Sequence, residues 1–144
     1  MSSFSDWLAS PLILRRVTAA RGNAGWVRPA WRLDGVNVLR HVSLHGSNVP
    51  DAESHILLQE GGDGYDANRN HVELAVGTTN AVDPMTWDQQ TQSPLTGVWW
   101  VIGEVDLAAA GNATLEIGYH YVLETGPTRF SRLLRWVKKA PVYR

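Results

Sequence analysis

The chain contains no cysteine, and only 19% of its 144 residues are charged, which is below the usual quarter. The absence of cysteine excludes a disulfide framework, a thiolate zinc site and cysteine catalysis. No apolar run approaches the length of a membrane span. The first ten residues lack the basic start, apolar run and small-residue cleavage site of a signal peptide, so we expect none.

Apolar residues are plentiful, at 44% of the chain, and they include 7 Trp. A chain of this length with this apolar content is the size of one domain with a single core. Glycine, serine, threonine and asparagine are also common. This composition favours a β-rich domain with many turns over a helical one.

The clearest alternation lies in residues 113–124, where Leu115, Ile117, Tyr119, Tyr121 and Leu123 fall on one side. Successive side chains of a strand point to opposite faces, so this pattern predicts a strand with one dry face. Residues 97–107 alternate too, and the five residues after Leu107 are just enough to turn the chain back. The sequence therefore predicts a long antiparallel hairpin.

A second hairpin is predicted at Asp34-Gly35, which separates alternating residues 26–33 from residues 36–45. An Asp-Gly pair between two alternating runs favours a type I′ turn, because both residues tolerate positive φ. Pro29 lies in the first of these runs and has no N–H to donate. We therefore expect that run to be an edge strand.

Two further segments, residues 54–59 and 71–79, alternate on either side of a glycine-rich turn. With no alternating helices between strands, the pattern predicts an all-β fold, an antiparallel, jelly-roll-like β-sandwich. The side chains that we expect to point inward from these two segments are Ile56, Leu58, Val72, Leu74 and Val76.

Residues 128–139 differ from the rest, since apolar residues recur there at helical spacing. They predict a short amphipathic C-terminal helix that covers the sheet or, alternatively, lies on a membrane surface. The predicted organisation is a basic N-terminal arm (1–25), a β-sandwich core (26–125), and a basic helix with its tail (126–144).

Charge is segregated along the chain. The net charge is +4 over residues 1–40, −11 over 41–125 and +6 over 126–144. Basic ends around an acidic middle suggest arms that contact nucleic acid or the acidic surfaces of neighbouring subunits. In the alternative, the arms neutralise the acidic surface of their own chain. The candidate contact residues are Arg15, Arg16, Arg21, Arg28, Arg32, Arg129, Arg132, Arg135, Lys138 and Lys139.

Two motifs could hold a metal ion, and neither is complete. His41 and His45 share one face of a predicted strand, but a site needs a third ligand. The acidic and amide residues of the 61–70 turn imitate part of a calcium loop without its turn glycine or closing glutamate. We predict no resident metal or cofactor, and a calcium bridge between subunits is left open.

No catalytic constellation is present in the sequence. Four acids, Glu104, Asp106, Glu116 and Glu124, stand on the predicted hairpin, but nothing fixes a pair of them at the separation that a glycosidase needs. Acids that recur on one side of paired strands are typical of the wet face of a sandwich. We therefore predict that the protein is not an enzyme.

Tryptophan is the other abundant feature. Trp99 and Trp100 are adjacent, so on a strand they point to opposite faces. We predict that Trp87, Trp99 and Trp100 are interface aromatics, which pack beneath the terminal helix or against another subunit. As an alternative, exposed rings would form a platform for sugars or another ligand.

Residues 111–123, a glycine-led turn followed by alternating Leu, Ile and Tyr, resemble the last long strand of small jelly-roll viral coat proteins. A basic N-terminal arm, here Arg15, Arg16, Arg21, Arg28 and Arg32, is similar to that family as well. The resemblance implies a structural subunit of a virion or phage particle. Such a subunit would assemble in the host cytoplasm with copies of itself and other particle subunits, with nucleic acid as a further candidate partner. The alternative function is a carbohydrate- or ligand-binding module that uses exposed Trp.

Overall fold

A computed structural model describes residues 7–47, 51–91 and 93–124. These residues form β-strands joined by turns. The strands are β1 (Trp7–Ala9), β2 (Ile13–Arg21), β3 (Gly25–Val27), β4 (Ala30–Leu33), β5 (Val36–Gly46), β6 (Ala52–Glu60), β7 (His71–Thr79), β8 (Met85–Trp87), β9 (Leu95–Thr96), β10 (Trp99–Leu107) and β11 (Gly111–Glu124).

The strands form two antiparallel sheets that pack face to face. In the first sheet the order is β1-β11-β5-β8, with β2 also beside β11 and β9 also beside β5. In the second sheet the order is β3-β10-β6-β7, with β4 also beside β10. The predicted antiparallel β-sandwich is confirmed. The predicted helix at 128–139 lies outside the described residues, and among the residues described no helix is long and apolar enough to cross a membrane.

The strand pairs are nested in the sequence, so that each pair encloses the next one along the chain. β6 pairs with β7, β5 with β8 and β9, β3 and β4 with β10, and β2 with β11. Most strands that follow each other in the chain therefore lie in opposite sheets, and β6–β7 is a hairpin between consecutive long strands. The predicted hairpin of residues 97–107 and 113–124 is wrong, because β10 belongs to the second sheet and β11 to the first.

The predicted type I′ hairpin at Asp34-Gly35 is also wrong. The turn carries the chain from β4 in the second sheet to β5 in the first. Gly35 has a φ of 92°, but positive φ occurs at glycine alone among the described residues, so Asp34 does not adopt the conformation that this turn type needs. The edge-strand prediction for the run containing Pro29 is confirmed, since β3 and β4 flank Pro29 at one edge of the second sheet.

The core lies between the sheets and is built from their inward-facing side chains. Ile56 and Leu58 are 0% and 4% exposed, as predicted. The first three residues predicted on the dry side of β11 are buried as well, whereas Tyr121 is 47% exposed where β2 gives way to β1 beside β11. The fully buried large apolar side chains of this core include Leu33, Leu39, Leu44, Ile56, Leu107, Leu115 and Ile117.

The inward prediction for β7 is confirmed for Leu74, which packs against the core. It is wrong for Val76, which lies opposite His55 on the outer face and is 61% exposed. Val72 lies opposite Leu58 on the core side, as predicted, but is 54% exposed. β7 lies at an edge of the second sheet, so the first sheet covers its core side only in part. In addition, the register shifts between Ile56 and Leu57 of β6, and this bulge reverses the alternation along β7.

Candidate functional site

The outer face of the second sheet carries a group of polar and aromatic side chains that contact one another. It alternates with the core face: Val101 and Val105 of β10 point inward, so Trp100 and Glu104 point outward. On β6, His55 and Gln59 share this outer face because they pair with Glu104 and Trp100. We call the following side chains the outer cluster: Trp26, Arg28, His55, Tyr65, His71, Trp100 and Glu104.

Residues 61–70 fold back over this face. Gly61, Gly62 and Gly64 have φ of 70°, 90° and 86°, a region in which other residues are strained. Gln59 anchors the turn: its Nε2 donates to the carbonyl oxygens of Gly61 (3.0 Å) and Gly64 (2.7 Å), and its Oε1 accepts from the N–H of Asp66 (2.8 Å). Gln59 is therefore fully buried but well paired, at 0% exposure.

Aromatic rings join the turn to the sheet. Trp100 donates its indole N–H to the carbonyl oxygen of Gly62 at 3.1 Å. The ring of Tyr65 stacks on that of His71, with centroids 5.4 Å apart and planes 14° apart. His71 Nε2 lies 2.9 Å from Gln59 Oε1. Hydrogen bonds and a ring stack thus hold the turn against the sheet.

Arg28 lies at the centre of the outer cluster. Its Nε donates to Glu104 Oε2 at 2.5 Å, and the two side chains are 31% and 13% exposed. Its guanidinium carbon is 4.3 Å from the centroid of the Tyr65 ring and 5.9 Å from that of Trp26. These distances allow cation–π attraction as well as the ion pair.

His55 is held between two carboxylates. Its Nε2 lies 2.9 Å from Glu53 Oε2, and its Nδ1 lies 2.7 Å from Glu73 Oε2. The hydrogen bond to Glu53, followed by that to Glu73, raises the pKa of His55 above its usual 6.5, against the opposing effect of burial. The imidazolium form is therefore favoured beside the Trp26 ring, whose centroid is 5.8 Å away.

Several of the predicted basic contact residues pair with acids of their own chain. Arg16 donates to Glu116 at 2.5 Å on the first sheet, and Arg32 pairs with Asp34 at 3.1 Å. Together with the Arg28–Glu104 pair, these contacts follow the alternative in which basic residues neutralise their own chain. Arg15 and Arg21 donate to backbone carbonyl oxygens of Leu14 and Ala24. The basic residues Arg129, Arg132, Arg135, Lys138 and Lys139 lie outside the described residues.

The three predicted interface tryptophans occupy different environments. Trp87 is 7% exposed and belongs to the core. Trp99 packs against the core and donates its indole N–H to Thr96 O at 3.2 Å, whereas Trp100 lies on the outer face. The prediction that Trp99 and Trp100 point to opposite faces is confirmed.

The structure also places the two incomplete metal motifs. His41 and His45 share the outer face of the first sheet, where His41 Nδ1 contacts Asp88. In the glycine-rich turn, Asp66 Oδ1 accepts from the N–H of Asn68 at 2.9 Å. No group of three or more His, Asp or Glu side chains within the described ranges is arranged to hold a metal ion.

Sequence reasoning missed the Glu53–His55–Glu73 group and the role of Tyr65. Glu53 and His55 are two positions apart on one strand, so their shared face was available from alternation. Glu73 required the pairing of β6 with β7 across its bulge. The outer cluster places aromatic rings and carboxylate oxygens around two cationic groups, Arg28 and the imidazolium form of His55. These contacts stabilise the face, and its partly exposed rings could also contact a ligand.

Comparison with known proteins finds similar solved structures but no family. No family model and no curated protein matches the chain. Among solved structures, a CBM22-1 xylan-binding domain of Paenibacillus barcinonensis Xyn10C is 10% identical, with a TM-score of 0.46 over 88% of this chain and 91% of that one. TmCBM61, solved with β-1,4-galactotriose, is 14% identical, with a TM-score of 0.39 over 85% and 91% of the two chains.

A chain of infectious bursal disease virus (Gx strain) is also similar, at 11% identity and a TM-score of 0.32. The match covers 93% of this chain and 50% of the viral one, so this protein spans about half the length of that chain. The neighbours thus include both carbohydrate-binding modules and a virus, and at these identities and TM-scores they assign neither function.

Proposed function

We propose that the protein is a non-catalytic structural subunit that assembles with copies of itself into a virion-type particle through its β-sandwich. The observation that carries this proposal is where the exposed apolar side chains lie. Among the described residues, large apolar side chains that are at least a third exposed occur on the edge strands β2 and β7, in nearby turns and near the end of β11: Leu12, Leu14, Val72, Val76, Val82 and Tyr121.

Most of these exposed side chains are aliphatic, and they follow sheet edges rather than lining a cleft. Aliphatic patches at edges suit contact with another protein, whereas sugar-binding sites rely on exposed aromatic rings. The tryptophans with described side chains are buried or only partly exposed. Subunit contact is therefore the better account of this surface.

The nested strand pairing supports the finer description of the fold as a jelly roll, in which two antiparallel sheets are built from Greek-key connections. This architecture agrees with the coat-protein resemblance of residues 111–123. Fold alone does not specify function. The exposed apolar edges therefore support the proposed assembly more directly than the strand pairing does.

Charge supports assembly as well. Residues 7–124 contain seven basic and thirteen acidic residues, whereas residues 126–144 contain six basic and no acidic ones. Opposite net charges on two parts of one chain attract neighbouring copies and steer their association. The basic segment is also our candidate for contact with packaged nucleic acid.

Sedimentation velocity of the full chain at low and high salt tests the proposal. We expect a concentration-dependent multimer at low salt. A strict monomer at high protein concentration in both conditions would contradict self-assembly.

Nucleic-acid contact has its own test, a filter-binding assay at low salt. Replacing Arg135, Lys138 and Lys139 by Gln should weaken binding, while the control variant Arg69→Gln, which removes an exposed cation paired with Asp66, should bind like the wild type. Failure of the wild type to bind would remove the packaging role and leave the subunit role.

A second candidate, a carbohydrate-binding module, is favoured by one observation. The rings of Trp26, Tyr65 and Trp100 lie within the outer cluster, and each is partly exposed. Such rings stack on sugars. Tryptophan fluorescence measured across a glycan panel tests this function: a shift that Trp26→Ala abolishes and Trp99→Phe retains would support it over the structural role.

A further inference from the structure

We infer that β2 of one copy pairs with β7 of a second copy, so that the two opposite edges of the sandwich form a head-to-tail interface. This inference rests on the proposed self-assembly and specifies its contact surface. Both strands are nine residues long. Within the described part of the chain, β2 pairs with β11 alone and β7 with β6 alone, so each has one edge free for a further strand.

The two edges lie on opposite sides of the molecule. β2 contacts β3 across the sandwich, and β7 contacts β8, which is at the far side of the first sheet. Across the sandwich, Gly103 faces Leu44 and Gly46 faces Val105, so β5 and β10 run in the same direction. The antiparallel pairing within each sheet then makes β2 and β7 run in the same direction. Consider a second copy that is turned over by a half-turn about an axis in the plane of the sheets and perpendicular to the strands. Its β7 then runs antiparallel to β2 of the first copy. The outer faces of the two joined sheets lie on the same side.

The side chains of the two edges match in one register. Leu14 lies on the outer face of the first sheet, opposite Gly118, and Val76 lies on the outer face of the second, opposite His55. They are 64% and 61% exposed. Placing Leu14 against Val76 brings together two apolar side chains that are exposed in the single chain.

Because β7 contains a bulge, the same register also matches two further pairs of side chains. Once Leu74 is counted as the extra residue, Arg16 falls opposite Glu73 on the outer face and Val17 falls opposite Val72 on the core face. An opposite-charge pair and an apolar pair thus both lie on matching faces. Without the bulge, Glu73 would lie on the core face and Val72 on the outer face, so both pairs would be split between the two faces.

Charge also disfavours pairing of like edges. β2 carries Arg15, Arg16 and Arg21 and no acid, while β7 carries Glu73 and no Lys or Arg. Pairing β2 with another β2 would bring arginines together, whereas β2 with β7 brings opposite charges together. A contact between two different edges is heterologous, so each copy can bind one neighbour on each side and the assembly can grow beyond a dimer.

Two single substitutions at exposed positions test the interface without disturbing the core. Leu14→Glu and Val76→Lys each place an unpaired charge in the proposed contact, and each should weaken association in sedimentation velocity about tenfold or more. Gln90→Lys is the matched control, because Gln90 is exposed, lies outside both strands and is not one of the exposed apolar side chains. It should assemble like the wild type. Circular dichroism should be unchanged in all three variants.

Mixing the two disrupted variants is the decisive measurement. In an equimolar mixture, the β2 edge carrying Leu14→Glu meets the β7 edge carrying Val76→Lys, so the two introduced charges pair at that contact. At the next contact the native Leu14 meets the native Val76, so assembly should return.

Loss of assembly in both variants without recovery on mixing would show that the edges do not pair with each other. Assembly of both variants at wild-type strength would overturn the interface and leave the structural function standing. A monomeric wild type would overturn the proposed function itself.

Discussion

Leu44 of β5 occupies the space that Gly103 leaves in β10, on the opposite sheet. A Cβ added to Gly103 would lie 2.5 Å from Leu44 Cδ1, and the side chain of Leu44 is 0% exposed. Side chains in a close-packed interior have little freedom to move aside. This glycine and leucine therefore set how closely the two sheets approach at the centre of the sandwich.

Gly103→Ala should lower the free energy of unfolding by about 1–3 kcal/mol, the usual effect of overpacking a core. Chemical denaturation measures this loss. Gly22→Ala is the control, since a Cβ there meets nothing within 4 Å, and it should change stability by less than about 0.5 kcal/mol. Adding Leu44→Val to Gly103→Ala should recover part of the loss; strictly additive effects would contradict the contact.

Arg28→Ala should lower the free energy of unfolding by about 1–3 kcal/mol, because it leaves the carboxylate of Glu104 largely buried without its cation and removes the guanidinium from the Tyr65 ring. Arg32→Ala is the matched control: the Arg32–Asp34 pair is 52% and 65% exposed and should contribute less than about 1 kcal/mol. Equal losses in the two variants, by urea titration, would argue against a special role for Arg28.

The pKa of His55 should fall when either neighbouring carboxylate is removed. Glu53→Gln and Glu73→Gln each delete a hydrogen-bonding anion that raises this pKa. NMR titration of the histidine Cε1–H resonance measures the change. Asp88→Asn, which alters the contact of His41 on the other sheet, is the control and should leave the His55 titration where it is.

Stability should depend on pH through the same group. Because folding raises the pKa of His55, its contribution is fully present below the unfolded value of 6.5 and is lost as pH rises through the higher folded value. The difference in unfolding free energy between the wild type and His55→Gln should therefore shrink as pH rises from below 6.5 through the raised pKa of the folded state. A difference that grows with pH would show that His55 is held neutral.

Gln59→Leu should loosen the turn over the outer cluster. The substitution keeps most of the side-chain volume but removes the partners of the Gly61 and Gly64 carbonyl oxygens and of the Asp66 N–H. Unpaired buried polar groups cost about 1–3 kcal/mol each. Faster amide hydrogen exchange in residues 61–70, with β11 unchanged, is the expected result; uniform acceleration would indicate global destabilisation instead.

Alternation sufficed to predict most of the strands, the antiparallel sandwich and the burial of Ile56 and Leu58. It did not predict which strands pair. A short turn such as Asp34-Gly35 has the composition of a hairpin, but local sequence does not record whether the chain stays in one sheet or crosses to the other. The same ambiguity misplaced β10 and β11, whose core faces oppose each other across the sandwich.

The candidate site was predictable in parts. Because Trp99 and Trp100 are adjacent, alternation predicted that they point to opposite faces. The separation of basic and acidic segments along the chain predicted ion pairs between them. Arg28 lies in the short connection between β3 and β4, so its contact with Glu104 required the pairing of both strands with β10. The bulge in β7, which exposes Val76 and permits the register proposed with Leu14, has no signature in the local sequence.

The nested pairing also bears on how the chain folds. Arg16 and Glu116, which face each other across β2 and β11, are 100 residues apart in sequence. Such distant contacts give a high contact order and slow folding, since a long loop must close before the contact forms. During synthesis, β2 leaves the ribosome long before its partner exists. The strand that we propose as an assembly edge is thus unpaired on both sides until β11 arrives, and its three arginines would protect it from premature association.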